Sequence, residues 1–220
     1  MEITKKQLQR VAHYLNVKDI TYLDLRMEVF DHIVSDIEAK LMAENLEFET
    51  VFYKVTDTWN RQLKETSSFY FGVAYSLPKI VMEKAKKSFK VWFFLSLFTY
   101  FISYVLVDKM KIVFSKNIEN SLFLFFQIIT VSCIVLIIWL LIKKNKNKQK
   151  TTYSFILKTQ IWNILLGCIV LFYLNFNFLN QEGNLNPFPI GMLTSFVFST
   201  YTYFFFYRKH RIALEKYKNL

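Results

Sequence analysis

The chain has 220 residues, is 53% hydrophobic, and carries 24 Phe and 13 Tyr against only 4 Gly and 3 Pro. Few breakers among so many large apolar side chains point to long helices. The formal net charge is +11, but residues 1–77 hold 9 Lys/Arg against 12 Asp/Glu (−3) and residues 78–220 hold 19 against 5 (+14). The basic residues of the second part flank apolar runs, as in membrane anchors, so nucleic acid is not expected as a partner.

The first ten residues, MEITKKQLQR, lack an apolar h-region, so no cleavable signal peptide is expected. Thr4 and Gln7 form the T-x-x-Q pattern of a capping box, ahead of Leu8, Val11, Ala12 and Leu15 at helical spacing. Thr21 and Asp24 give a similar start signal for a second helix from Tyr22 to Glu44. A third covers Glu47 to Lys64, with Phe48, Val51, Phe52, Val55, Trp59 and Leu63 on one stripe. KETSSFYFGVAYS then reads as an aromatic connector, and Pro78 suits the first position of a further helix. Residues 1–77 are thus expected to form a small helical head, and residues 78–90 a basic juxtamembrane helix running on into the apolar part.

Four runs without formal charge follow: residues 91–107, 121–142, 159–179 and 188–207. Each approaches the roughly 20 apolar residues needed to cross a bilayer, and backbone groups in lipid must pair within the segment, so four transmembrane helices are expected. Strong lysine clusters fall before the first run (Lys84, Lys86, Lys87, Lys90), in KKNKNKQK between the second and third, and in RKHR after the fourth. The loop NQEGNLNPFP carries no basic residue, and only Lys109, Lys111 and Lys116 argue for the opposite side. The positive-inside rule then places both termini in the cytoplasm of a bacterial-type inner membrane, with residues 208–220 as a basic tail. Gln127, Gln160, Asn163, Asn175 and Asn177 are the polar residues of the runs, suited to bonds between helices, and Gly191, Thr194, Ser195, Ser199 and Thr202 suit close packing. No acidic residue or histidine lies within a run, so neither a proton relay nor a pump is indicated. Cys133 and Cys168 lack metal or redox spacing and read as small apolar residues.

The stretch YLDLRMEVFDHIVSDIEAKL, residues 22–41, gathers carboxylates, an imidazole and a hydroxyl. Wound as a helix from Leu25, it puts Leu25, Val29, Phe30, Ile33, Val34, Ile37 and Leu41 on an apolar arc of about 180°. Asp24, Glu28, Asp31, Ser35 and Glu38 fall within about 80° on the opposite face, with His32 at its edge. Glu28 and His32 could supply two ligands, but a catalytic zinc wants a third, and no H-E-x-x-H motif or cysteine pair exists. No metal, cofactor or catalytic residue is therefore expected. The stripe Asp24, Glu28, Asp31, His32, Ser35 and Glu38 is the candidate docking surface for a basic partner, weighed against a solvated face, with the aromatics from Phe69 to Tyr75 as the other place to look.

ITYLDLRMEVFDHIVSDIEAKL, FETVFYKVTDTW and LPKIVMEKAKK ahead of a membrane region resemble the HAAS-type signalling head over about residues 20–87. Glu28, Val29, Asp31, His32, Ile33 and Glu38 match its first segment, and Pro78, Lys79, Ile80 and Val81 its last. The resemblance implies an all-α head in front of several transmembrane helices, and a signalling or assembly role beside PadR-like regulators or ABC transporters, without catalytic residues. The expected function is therefore a non-enzymatic, multi-pass membrane protein whose head docks a partner, with an accessory subunit of a transport or secretion complex as the alternative. Partners expected are membrane lipid and a cytoplasmic or membrane protein, a second copy of the chain being left open.

Overall fold

The computed structural model describes residues 3–110, 113–173 and 178–218. Among them the chain is mostly helical: α1 (Lys5–Val17), α2 (Leu23–Glu44), α3 (Phe48–Leu63), α4 (Lys79–Met110), α5 (Lys116–Asn145), α6 (Thr152–Tyr173) and α7 (Pro187–Lys218). A hairpin of β1 (Glu65–Ser68) and β2 (Gly72–Pro78) separates α3 from α4. The chain divides into two compact units, one of Met1–Lys87, Gln149–Ile156 and Lys209–Leu220, the other of Ser88–Lys148 and Leu157–Arg208.

The first unit, the head, begins with the expected capping box: Gln7 N–H donates to Thr4 Oγ1, and Thr4 N–H to Gln7 Oε1 at 2.8 Å. Along α2, Leu25, Val29, Ile33, Ile37 and Leu41 are buried, a strict i, i+4 stripe narrower than the expected arc. Phe30 and Val34, at its margin, are half-buried. Each fully buried aliphatic side chain contributes on the order of 1.5–3 kcal/mol, so this stripe, with Val11 and Leu15 of α1 and Val51, Phe52 and Val55 of α3, holds the bundle. Arg26, which helical winding places among apolar residues, donates instead to Ile20 O (2.9 Å), Ala12 O (3.3 Å) and Asn16 Oδ1 (2.7 Å). It thereby ties the end of α1 and the following turn to α2.

The expected connector is the antiparallel hairpin, with Thr66 opposite Leu77 and a register shift before Ser68 faces Gly72. A short 3-10 turn, Phe69–Phe71, joins its strands, and Gly72 at φ 90 takes a backbone conformation that side chains disfavour. Pro78 ends β2 rather than opening α4, which starts one residue later, and Lys79 N–H closes the hairpin base on Lys64 O at 2.9 Å. Segment 149–156 and the last turns of α7 also belong to the head.

In the second unit, α4 and α7 pack antiparallel. The Trp92 ring lies 4.5 Å from that of Phe205, Ser96 Oγ lies 3.0 Å from Ser195 Oγ and 3.2 Å from Ser199 Oγ, and Tyr100 meets Gly191 and Phe188. A Cβ on Gly191 would sit 3.0 Å from the Tyr100 ring, so the small residue sets this approach. Gly167 of α6 lies against Phe196 of α7. The two loops at the other end pair: Phe114 N–H donates to Gly183 O at 2.7 Å, and Val113 bridges to Asn184.

Among the described residues two helices are long and apolar enough to cross a membrane, α4 and Ile118–Asn145 of α5; four were expected. The difference has two sources. Asn175 and Asn177 of the third expected run lie outside the described residues, which cuts that run short. The fourth run is diluted by Thr194, Ser195, Ser199, Thr200 and Thr202 and by Tyr201, Tyr203 and Tyr207 toward its end, of which Tyr203 and Tyr207 are buried.

Candidate docking surface on the helical head

The N-terminus of α2 carries no side-chain cap: Tyr22 rather than the expected Thr21 precedes it, while Asp24 lies in the first turn as expected. A segment far along the chain supplies the missing partner. Leu23 N–H donates to Lys150 O at 2.9 Å, and Tyr22 and Lys150 form a parallel bridge. In return, Asp24 Oδ1 accepts Thr152 N–H at 2.8 Å. The first N–H groups of a helix have no intrahelical acceptor, so two helix starts, α2 and α6, complete each other, with a carboxylate at the positive end of α6.

Asp24 is therefore buried, 4% exposed, where a solvent-facing stripe was expected. The winding is as anticipated; Thr152 and Lys84 cover that end of the face. Lys84 Nζ donates to Asp24 O at 3.2 Å and to Glu28 Oε2 at 3.1 Å, and lies 3.8 Å from Asp24 Oδ2. The basic partner absent from α2 thus comes from the start of α4. Around it, Thr151 and Ser154 form a reciprocal cap at the start of α6, Ser154 N–H to Thr151 Oγ1 at 3.1 Å and Thr151 N–H to Ser154 Oγ at 3.0 Å. Thr151 Oγ1 also pairs with Nδ1 of the buried His210 at 2.8 Å, which ties in α7.

The C-terminal half of the stripe stays outward. Asp31, His32 and Ser35 are exposed, Glu28 is exposed on its Lys84 contact, and Glu38 is half-buried. His32 stacks on Trp59 of α3, ring centroids 6.5 Å apart, and Trp59 Nε1–H donates to Asp36 Oδ2 at 3.0 Å. Glu28 and His32 therefore face different neighbours, Lys84 and Trp59. Among the described residues no group of three His, Cys, Asp or Glu is placed to hold a metal ion.

Two phenols of the head are perturbed. Burial, with the charges of Asp19 and Asp24, pushes Tyr22 up to about 12. Burial, with Asp57, does the same to Tyr14, whose hydroxyl donates within reach of Thr56 O and Asn60 Oδ1, each at 3.1 Å. Glu44 is held below the usual carboxylate range by a hydrogen bond and charge from Lys54.

Lys84, Thr151, Thr152 and His210 were not singled out from the sequence as parts of this site. The T-x-x-S spacing of Thr151 and Ser154 marks a helix start, but nothing local marks its partner. The chain matches no family model, no curated protein and no solved structure.

Proposed function

We propose that the protein is a non-enzymatic, multi-pass protein of a bacterial-type inner membrane, with both termini cytoplasmic, whose helical head docks a protein partner in signalling or complex assembly. The observation that carries this reading is the exposure of α4: it is apolar enough to span, yet 0% of that stretch is buried, and only 17% of the stretch in α5. A core helix of a soluble protein would be covered. Phe94, Phe98, Phe101 and Val105 of α4 instead point outward, a larger apolar surface than water-soluble monomers expose.

Two further features favour four crossings over two. Because α7 runs antiparallel along α4 from Phe205 to Phe188, a bilayer that surrounds α4 surrounds α7 as well. Residues 1–87, 149–156 and 209–220 also belong to one compact unit, so the chain leaves that unit and returns to it twice. The lysine clusters at residues 84–90, 143–150 and 208–211 flank those crossover points in sequence, which supports a cytoplasmic head.

Docking is assigned to the open half of the α2 stripe, Asp31, Ser35 and Glu38 with His32 at its edge; Asp24 and Glu28 already serve Lys84. The resemblance to HAAS-type heads is the reason for expecting a signalling partner. The test is copurification of the full-length protein in mild detergent. Asp31→Lys with Ser35→Lys, both at exposed positions, should change stability by no more than about 0.5 kcal/mol each, and should abolish retention of a soluble partner. Unchanged partners with an unchanged circular dichroism spectrum would remove this docking surface. Retention of other membrane subunits only would favour an accessory role in a transport complex.

A further inference from the structure

The hairpin carries the most outward apolar residues of the head. Phe69 is 91% exposed and Val73 79% exposed, at a tip held firmly from behind. Phe71 is buried against Phe155 at 5.1 Å between rings, Tyr75 meets the same ring at 6.2 Å, and Tyr70 lies under Lys86 Nζ at 5.7 Å. The apolar tip is thus presented by an ordered turn whose inner face is already packed.

Lys86, over the Tyr70 ring of the tip, precedes by five residues in sequence the apolar run that begins at Val91, and the inference rests on the reading that this run crosses a membrane. The neighbouring charge fits: Lys86 and Lys87 are exposed, while the acidic Glu65 lies at the hairpin base, bonded to Ser76, and Glu83 pairs with Lys79.

We propose that Phe69 and Val73 form an interfacial anchor that seats the head on anionic lipid. Aromatic and aliphatic side chains beside lysines bind such interfaces by burying apolar area and attracting anionic headgroups. A second copy of the chain is a poorer occupant, since a two-fold contact would set Lys86 and Lys87 against their own equivalents. Two exposed side chains also offer far less area than a stable protein interface buries.

The test uses the full chain with Cys133→Ala and Cys168→Ala, in bilayers of phosphatidylcholine with phosphatidylglycerol. A nitroxide is attached in turn through Phe69→Cys, Val73→Cys, Tyr53→Cys on α3 and Ile102→Cys on α4. Accessibility to oxygen, which prefers lipid, is compared with that to a nickel chelate, which prefers water. The labels at 69 and 73 should favour oxygen over the chelate, less so than at 102 and opposite to 53, and the preference should weaken in phosphatidylcholine alone. A lipid-like signal at 102 with a water-like signal at 69 and 73 would overturn the anchor and leave the spanning reading standing. Low accessibility to both reagents at 69 and 73 would mean that protein covers the tip, which overturns it too. A water-like signal at 102 would remove the spanning reading and the anchor together.

Discussion

Asp24 Oδ1 accepts the backbone N–H of Thr152 at 2.8 Å across 128 residues of chain. From the second residue of α2, this carboxylate serves as a cap for α6, while the start of α2 is closed by Lys150 O. The contact joins segment 149–156 to the N-terminal bundle, within a head assembled from three separate stretches of chain.

Removing that carboxylate should therefore loosen more than one helix. Asp24→Ala is expected to cost about 1–3 kcal/mol, from a lost cap and an unsatisfied buried N–H. Asp24→Asn keeps an acceptor but gives up the charge beside Lys84 and the helix start, and should cost about 1 kcal/mol or less. Thermal unfolding in detergent, followed by circular dichroism, would rank wild type above Asp24→Asn above Asp24→Ala. Equal midpoints for wild type and Asp24→Ala would show that the cap adds nothing.

Tyr22 gives the head a dependence on alkaline pH. Its phenol is raised from 10.0 to about 12, chiefly by burial and then by Asp19 and Asp24. The folded state thus keeps a proton that the unfolded chain has already released above pH 10. Folded protein binds more protons in that window, so stability falls as pH rises from 10 toward 12. Tyr22→Phe should flatten this fall, seen as a smaller drop in unfolding midpoint between pH 9.5 and 11.5 (a window set about the unfolded and folded values). An identical slope in the variant would assign the loss to other groups.

The serine seam between α4 and α7 can be read chemically. Ser96 Oγ and Ser195 Oγ are 3.0 Å apart, a spacing that suits a disulfide once both are replaced. In a chain carrying Cys133→Ala and Cys168→Ala, Ser96→Cys with Ser195→Cys should cross-link in native membranes on mild oxidation and shift on a non-reducing gel. Ser96→Cys paired with Val197→Cys, whose position is partly exposed on α7, should not. Cross-linking of neither pair would break the antiparallel arrangement on which the four-crossing reading leans.

The sequence by itself determined that the chain is mostly helical, and it placed the ends of α2 and α3 to within a residue. The Thr4–Gln7 capping box, the stripe from Leu25 to Leu41 and the apolar runs of α4 and α5 all follow from local rules: which side chains can reach a neighbouring N–H, and which residues recur once per turn. Helical winding also placed Asp24, Glu28, Asp31, Ser35 and Glu38 on one face. It could not say what lies against that face, because periodicity fixes an angle about one axis and is silent on which distant segment arrives there. The tertiary structure decided that Thr152 and Lys84 cover Asp24 and leave Asp31 open. It likewise turned the aromatic connector into a hairpin, where Lys64 O meets Lys79 N–H and Phe71 finds Phe155, partners that no local pattern announces. Arg26 makes the same point: its angle looked apolar, and three oxygen acceptors from α1 and the following turn gave it a role only once those elements had packed.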